Sequence, residues 1–268
     1  MPIVNNSVKR FIINADDFGY SADTVQRTIE CFEAGALTSA TLMTNMPEYT
    51  QAAHYALKHP EFSFGLHLCL TDEAPLSRPD KIPSLISPDG RLWPTGIFWR
   101  RALTGRIAAS EVTVEAEAQI NRMIASGISI SHVDGHGHVH KIPQVIFALK
   151  GLMRKYGIRS IRRTQNLRYS GRIGLGSVYD TISNMFLRRL GRTTDFFLMP
   201  CGDIGANDGD WLLHLGNRLP AGTTEIGIHP GTEEDWRRWE AEPVLKGMGE
   251  FLARSGAQLI NFNMLEGC

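Results

Sequence analysis

An α/β fold of parallel strand–helix units, closing irregularly into a TIM-like (β/α) barrel of seven or eight strands, is the class this 268-residue sequence predicts. Three observations predict it. Short apolar runs alternate with segments of helical periodicity, polar and titratable residues fall just after the apolar runs, and no Pro, Gly or Ser-rich linker divides the chain. Single α/β barrels reach ~250 residues, so residues 1–268 read as one domain.

The first apolar strand, Phe11 to Asn14, runs into Asp16-Asp17-Phe18-Gly19. Ser21 then caps a helix carrying Val25, Ile29 and Phe32 at helical spacing and closed by Gly35. A second strand over Leu37 to Thr44 leads through Pro47 into a helix ending near His59, and a third strand spans Phe62 to Leu70. From Pro75 to Arg106 the rhythm breaks into a Pro/Gly-rich insertion with Trp93, Phe98 and Trp99. Its length fits a lid or substrate loop, and equally a surface excursion packed by its own aromatics. The alternation resumes with a helix near Glu111 to Ala125, a strand near Ile128 to Val133, a helix near Pro143 to Tyr156 and a strand at Ile158 to Arg162. Further strands are expected near Phe196 to Met199, Thr224 to Ile228 and Gln258 to Phe262, with helices between them.

Composition narrows the function classes. With 43% apolar and 21% charged residues the chain is an ordinary globular sequence, which excludes disorder, a collagen-like repeat and a disulfide scaffold. Its 28 basic side chains balance 28 acidic ones, so there is no global pull toward nucleic acid or anionic membranes, and no nucleic-acid partner is expected. No apolar stretch approaches ~18 residues, and the N-terminal MPIVNNSVKRFIINADD lacks a signal peptide's apolar region. No transmembrane segment and a cytoplasmic location are therefore expected. Cys31, Cys69, Cys201 and Cys268 form no Cys-x-x-Cys pair and read as free thiols.

The chemistry-bearing residues cluster where strands end, the end at which parallel α/β folds place their sites. Asp16 and Asp17 follow the first strand; adjacent carboxylates repel, so a positive group is expected nearby, although either could simply cap the next helix. On the third strand His67 alternates with leucines and points the same way as Cys69, a residue expected to be apolar filler. The densest signal is His132-Val133-Asp134-Gly135-His136-Gly137-His138-Val139-His140, which holds four of the nine histidines. Gly135 and Gly137 disfavour a helix, placing this cluster on a strand end and loop, where nitrogen and carboxylate ligands suit a catalytic metal. His229-Pro230-Gly231 ends a later strand; His229 suits proton donation, or a simple bond to backbone. Trp236 and Trp239, at i, i+3 spacing, fit packing on the barrel's outside better than stacking on a sugar ring.

Together, Asn14-Ala15-Asp16-Asp17-Phe18-Gly19, Gly65-Leu66-His67-Leu68 with Leu70-Thr71, the His132 to His140 cluster, and His229-Pro230-Gly231 resemble the YdjC-like carbohydrate deacetylases, a family that includes chitooligosaccharide and hopanoid-associated members. The resemblance implies a TIM-like barrel and removal of an N-acetyl group from an amino sugar or glycan. It implies one divalent metal ion, Mg²⁺ or Zn²⁺ with Co²⁺, Ni²⁺ or Mn²⁺ as alternatives, held by Asp17, His67 and His136. Asp16 is implied as the base that takes a proton from water, and His229 as the acid that protonates the departing amine. Asp134, His138 and His140 are left to orient ligands or contact substrate. Where the family often has Ser in its Asp-Ser-His step this chain has Gly135, a loop change expected to spare the ligands. Homodimers are common among such barrels. Other barrel metallohydrolases, phosphoesterases or amidohydrolases, use the same Asp/His inventory, usually around two metals, and a silent sugar-binding barrel is the remaining alternative.

One local charge asymmetry stands out. Between Val139 and Tyr179 there is no acidic residue, while Lys141, Lys150, Arg154, Lys155, Arg159, Arg162, Arg163, Arg168 and Arg172 all fall inside. Such a run is a solvated face in most proteins. The sharper expectation is that Arg162 and Arg163, at a strand end, contact an anionic part of the substrate, or that one of them orients Asp16.

Overall fold

The computed structural model describes residues 8–168, 174–200, 209–216 and 218–265; Cys201, Cys268 and Arg172 lie outside them. Eight parallel strands form one sheet: β1 (Lys9–Phe18), β2 (Ser39–Leu42), β3 (Ser63–Leu68), β4 (His132–Gly135), β5 (Ser160–Ile161), β6 (Phe196–Leu198), β7 (Gly222–Ile228) and β8 (Gln258–Leu259). Seven of them run in the order β5-β4-β3-β2-β1-β7-β6. The remaining one, β8, pairs with Arg10 and Phe11 at the start of β1, ahead of the point where β2 pairs with Asn14 to Phe18. The two end strands, β5 and β6, are not laddered to each other. A single parallel bridge between Ser160 and Arg192 marks the place where a closed barrel would seal, so the expected irregular closure is an open seam.

Among the described residues eight helices cover the sheet: α1 (Ala22–Glu33), α2 (Tyr49–Lys58), α3 (Thr95–Leu103), α4 (Ala109–Ala125), α5 (Pro143–Tyr156), α6 (Leu175–Leu187), α7 (Trp211–Gly216) and α8 (Asp235–Ser255). Because both faces of a parallel sheet are covered, its strands bury nearly every side chain, as β1 does from Phe11 to Phe18. Ser21 caps α1 as its sequence predicts, accepting from the Thr24 N–H while Thr24 Oγ1 accepts from the Ser21 N–H. Phe11 packs edge-on against Phe251 of α8 with ring centroids 5.1 Å apart, tying the first strand to the last helix.

Several local expectations are corrected. The insertion at 75–106 contains two 3-10 turns and α3, and it is packed by its own aromatics: Phe98 is buried and Trp93 Nε1 donates to Ser84 O at 3.0 Å. It also reaches the histidine loop, since Trp99 Nε1 donates to Gly137 O at 3.1 Å. β4 begins at His132 rather than near Ile128, because only His132 onward finds ladder partners on β3 and β5. Gly135 is thus the last residue of that strand and not a loop position. The strand expected over Leu37 to Thr44 is laddered only from Ser39 to Leu42.

His132, at the start of β4, turns out to be a packing residue. Its ring stacks on Phe262 with centroids 3.5 Å apart, and burial drives its pKa well below the usual histidine value. Room for it comes from Gly65 on β3, where an added Cβ would stand 2.6 Å from the ring. Gly65→Ala is expected to cost about 1–3 kcal/mol of stability through overpacking. A urea midpoint that falls without a change in slope is the readout; an unchanged midpoint would mean the ring moves aside freely.

Candidate functional site

The strand ends of β1, β3, β4, β5 and β7 bring together the residues singled out by sequence. On β1 an ordinary extended strand would turn Asp16 and Asp17 to opposite faces. The β1–β2 register instead shifts between Ala15 and Phe18, and Asp17 takes a left-handed φ of 59°, which lets both carboxylates reach one side. A non-glycine residue in that region is strained, and strain of this kind collects at functional sites.

Asp17 faces two histidines. Its Oδ1 lies 3.2 Å from His67 Nε2 and 3.1 Å from His136 Nδ1, and its Oδ2 accepts from Arg237 Nη2 at 2.8 Å. Burial pushes the Asp17 carboxyl up, but the hydrogen bond from His136 and the adjacent His67 imidazole override it and hold the group well below the carboxylate range. Asp17, His67 and His136 each offer one ligand atom, all within 4.8 Å of one another. His136 opens the site to solvent with 26% of its side chain exposed, whereas Asp17 and His67 are closed off at 2% each.

His67 is fixed from behind. Its Nδ1 donates to Asp134 Oδ1 at 2.8 Å, and Thr41 Oγ1 donates to Asp134 Oδ2 at 3.0 Å. Burial pushes the imidazole down, yet Asp134 overrides it and raises His67 to about 10. Nε2 is left buried without a hydrogen-bond partner, and it is this nitrogen that faces Asp17. An imidazole held at one nitrogen by a carboxylate and offering the other is the arrangement that orients metal-binding histidines.

Asp16 has a different neighbourhood. Arg162, wholly buried just past β5, donates to its two oxygens at 2.5 and 2.7 Å, and Asn14 Nδ2 donates at 2.8 Å. The same guanidinium pairs with Asp134 at 2.7 Å and with Glu225 of β7 at 2.6 Å. Burial raises the Asp16 carboxyl, but the Arg162 charge overrides it and holds the group below the carboxylate range. At Glu225 burial wins over Arg162, leaving that carboxyl raised to about 7. Arg162 is therefore the positive group the paired aspartates require, and its burial among three carboxylates corrects the expectation that it touches an anionic substrate. Asp16, His67 and Asp134 also lie close enough to suggest a second cation site, but the guanidinium bound to Asp16 and Asp134 already supplies the charge there.

His229, at the end of β7, places Nε2 4.0 Å from Asp16 Oδ2. Glu240 of α8 holds it, accepting from the backbone N–H at 2.8 Å and from Nδ1 at 2.9 Å. Trp236 stands against the ring with centroids 5.1 Å apart and is 40% exposed. Its expected burial on the barrel's outside is thus corrected; its neighbour Trp239 does pack, tilted against the buried Trp211. Gly231, two residues on, makes room for Arg237, whose Cδ would lie 2.7 Å from a Cβ there.

Other expected residues stand apart. His138 and His140 neither hydrogen-bond nor ion-pair with Asp16, Asp17, His67 or His136; burial keeps both neutral, His138 falling to about 3. Arg163 points away, donating to the carbonyls of Thr194 and Asp195. Cys69 is buried against Met43 and Met46, and burial pushes its thiol up to about 12, as apolar filler requires. Glu225, Arg237 and Glu240 were not singled out by sequence. A glutamate inside the apolar run Thr224 to Ile228 was the one available signal.

A family model described as YdjC-like protein matches residues 10–253. The chain belongs to the YdjC-like family. Among its relatives, a carbohydrate deacetylase of Thermoanaerobacter pseudethanolicus is 29% identical over 85% of this chain and 83% of its own. One from Geobacillus stearothermophilus is 39% identical over 56% of this chain and 59% of its own, and a chitooligosaccharide deacetylase of Yersinia enterocolitica is 36% identical over 51% and 53%. The chain thus spans under three fifths of the length of the latter two relatives. A crystal structure from Enterococcus faecalis V583, provisionally described as a cellobiose-phosphate cleavage protein, superimposes over 97% of this chain and 100% of its own, with a TM-score of 0.78 and 26% identity. The fold is therefore shared across that length. No helix among the described residues is long and apolar enough to cross a membrane.

Proposed function

We propose that the chain is a metal-dependent carbohydrate deacetylase, hydrolysing the N-acetyl group of an amino sugar and releasing acetate. The observation that carries this reading is the division of roles between two adjacent carboxylates, in which Asp17 joins His67 and His136 while Asp16 faces His229. Names of the relatives support it. The residues fit a divalent ion, since the buried Nε2 of His67 has no hydrogen-bond partner and sits beside an ionised carboxylate and a second imidazole. Two nitrogens and one oxygen suit Zn²⁺, Co²⁺, Ni²⁺ or Mn²⁺, with Mg²⁺ also accepted by a carboxylate-containing site. Such an ion, when bound, supplies Lewis acidity toward the acetyl carbonyl oxygen.

The chain's own groups divide the remaining work. Asp16, kept ionised by Arg162, takes a proton from the attacking water. His229, held at Nδ1 by Glu240, delivers a proton to the departing amine through Nε2. Trp236 offers an exposed indole beside His229 on which a sugar ring can stack. Trp236→Ala is accordingly expected to raise KM for an N-acetylated saccharide about tenfold with kcat nearly unchanged; a loss confined to kcat would place the indole in support of His229 instead.

An acetate-release screen with the metal-loaded protein tests the reading as a whole. N-acetylated monosaccharides, chitooligosaccharides, sugar nucleotides and lipid-linked amino sugars are the substrates, with acetate and free amine measured together. Equal release of the two on at least one of them is expected, with one ion per chain. Saccharide binding without acetate under every ion would overturn the proposal in favour of a sugar-binding barrel, and two ions per chain would favour another metallohydrolase chemistry.

A further inference from the structure

The open seam between β5 and β6 holds a cavity of about 820 Å³ lined by Arg159, Arg163, Arg188 and Arg192 together with Thr194 and Asp195. Four guanidinium groups around one cavity concentrate positive charge there, and among the described residues no carboxylate pairs with any of them. Asp195, the sole carboxylate among the described residues that line the cavity, accepts from the Thr223 N–H at 2.8 Å and forms no ion pair with any of the four. Among the described residues Arg159 and Arg188 make no ion pair, and Arg192 spends one nitrogen on Leu265 O at 3.0 Å. Arg163 gives Nη1 to backbone carbonyls, and its buried Nε has no partner. Thr194, 2% exposed, likewise leaves Oγ1 without one. Burial, aided by the Arg188 charge and opposed by Asp195, pushes the Arg163 guanidinium down to about 10.

The chemistry that satisfies these donors is a phosphate group, because its oxygens accept the planar fork of a guanidinium in pairs and also take a hydroxyl. A cavity of this size has room for more than a bare phosphate. Its position is also separate from the histidine–carboxylate centre: Arg159 precedes β5, residues 192–195 precede β6, and Arg163, although past β5, turns outward onto Thr194 and Asp195, whereas Asp16, Asp17, His67 and His229 occupy strand ends. We propose that the β5–β6 seam is a binding site for a phosphate-bearing small molecule of sugar-phosphate size, distinct from the catalytic centre.

Isothermal titration of the full chain with glucose 6-phosphate, inorganic phosphate and glucose tests this. Saturable one-to-one binding of glucose 6-phosphate, weakened by added salt, is expected, with none for glucose. Tighter binding of the sugar phosphate than of inorganic phosphate identifies a sugar phosphate as the ligand; equal binding identifies the phosphate group alone as what the seam reads, and supports the site with either source. Arg163→Gln and Arg188→Gln are each expected to weaken binding about tenfold or more, since one charge-assisted hydrogen bond is removed. Arg188 is exposed, so its variant keeps the test decisive if Arg163→Gln fails to fold. Binding that survives both substitutions, or that disappears in His136→Ala, overturns the proposal; absence of saturable binding to any phosphate compound does the same.

Discussion

His67→Ala and His136→Ala are each expected to fold and to lose the divalent ion, with affinity falling by more than ~100-fold. The scale comes from the weaker perturbation: removing a group that merely orients a metal-binding histidine costs ~10–100-fold, and Asp134→Asn belongs in that range because Asp134 touches His67 only at Nδ1. Metal content after dialysis against a fixed free-ion concentration separates the three variants. Full occupancy in His136→Ala would move the ligand to His138 or His140, although neither contacts Asp17. The same site sets a pH dependence. Without the ion His67 is raised to about 10 by Asp134 against the opposing effect of burial, so near neutrality that imidazole carries a proton that the ion must displace. Affinity therefore rises with pH toward that value and falls as the solution is acidified.

The fold and the candidate ligands were legible because they obey local rules. Apolar runs followed by helical periodicity mark the β/α units, and a titratable residue at the end of such a run is placed at the sheet's functional end by the fold itself. Strand-end placement nominates Asp16, Asp17, His67, the His132 to His140 cluster and His229 as candidates, and the family resemblance selects Asp17, His67 and His136 among them. Their supports were legible only in part: Asp134 and one of Arg162 and Arg163 were candidates for orienting them, but Arg237 was not, because each support depends on which distant strand lies alongside, Arg162 reaching Asp16 across 146 positions and Arg237 reaching Asp17 across 220. The basic stretch from Val139 to Tyr179 shows the limit most clearly. In sequence Arg162 and Arg163 are equivalent neighbours, yet alternation past β5 sends one into the barrel among three carboxylates and the other out to the seam. The irregular closure expected of the barrel takes the form of an open seam because β5 has only two laddered residues and β6 three.

Asp16→Asn is expected to keep the ion and lose turnover by ~10²–10⁴-fold, about 3–5.5 kcal/mol of barrier, the range usual for removal of a general base. The side chain touches neither His136 nor Arg237, and the amide is nearly isosteric with the carboxylate. Arg162 keeps Asp134 and Glu225 as partners, so the substitution does not strand a buried charge. Asp17→Asn is the converse: a neutral amide oxygen is a poorer ligand for a divalent cation, and the Arg237 charge at 2.8 Å then keeps only Glu234 as a carboxylate partner. That variant should lose metal first and turnover as a consequence. The pH profile adds a second readout. Arg162 holds the Asp16 carboxyl below the usual carboxylate range despite burial, so the base stays ionised on acidification until the pH drops beneath ~4. The limb it contributes is a fall in rate at still lower pH, and a limb centred near pH 6 that persists in the residual activity of Asp16→Asn belongs to another group. Loss of metal in Asp16→Asn with retention in Asp17→Asn would exchange the two roles, and near-normal turnover in both would remove the paired aspartates from the reaction altogether.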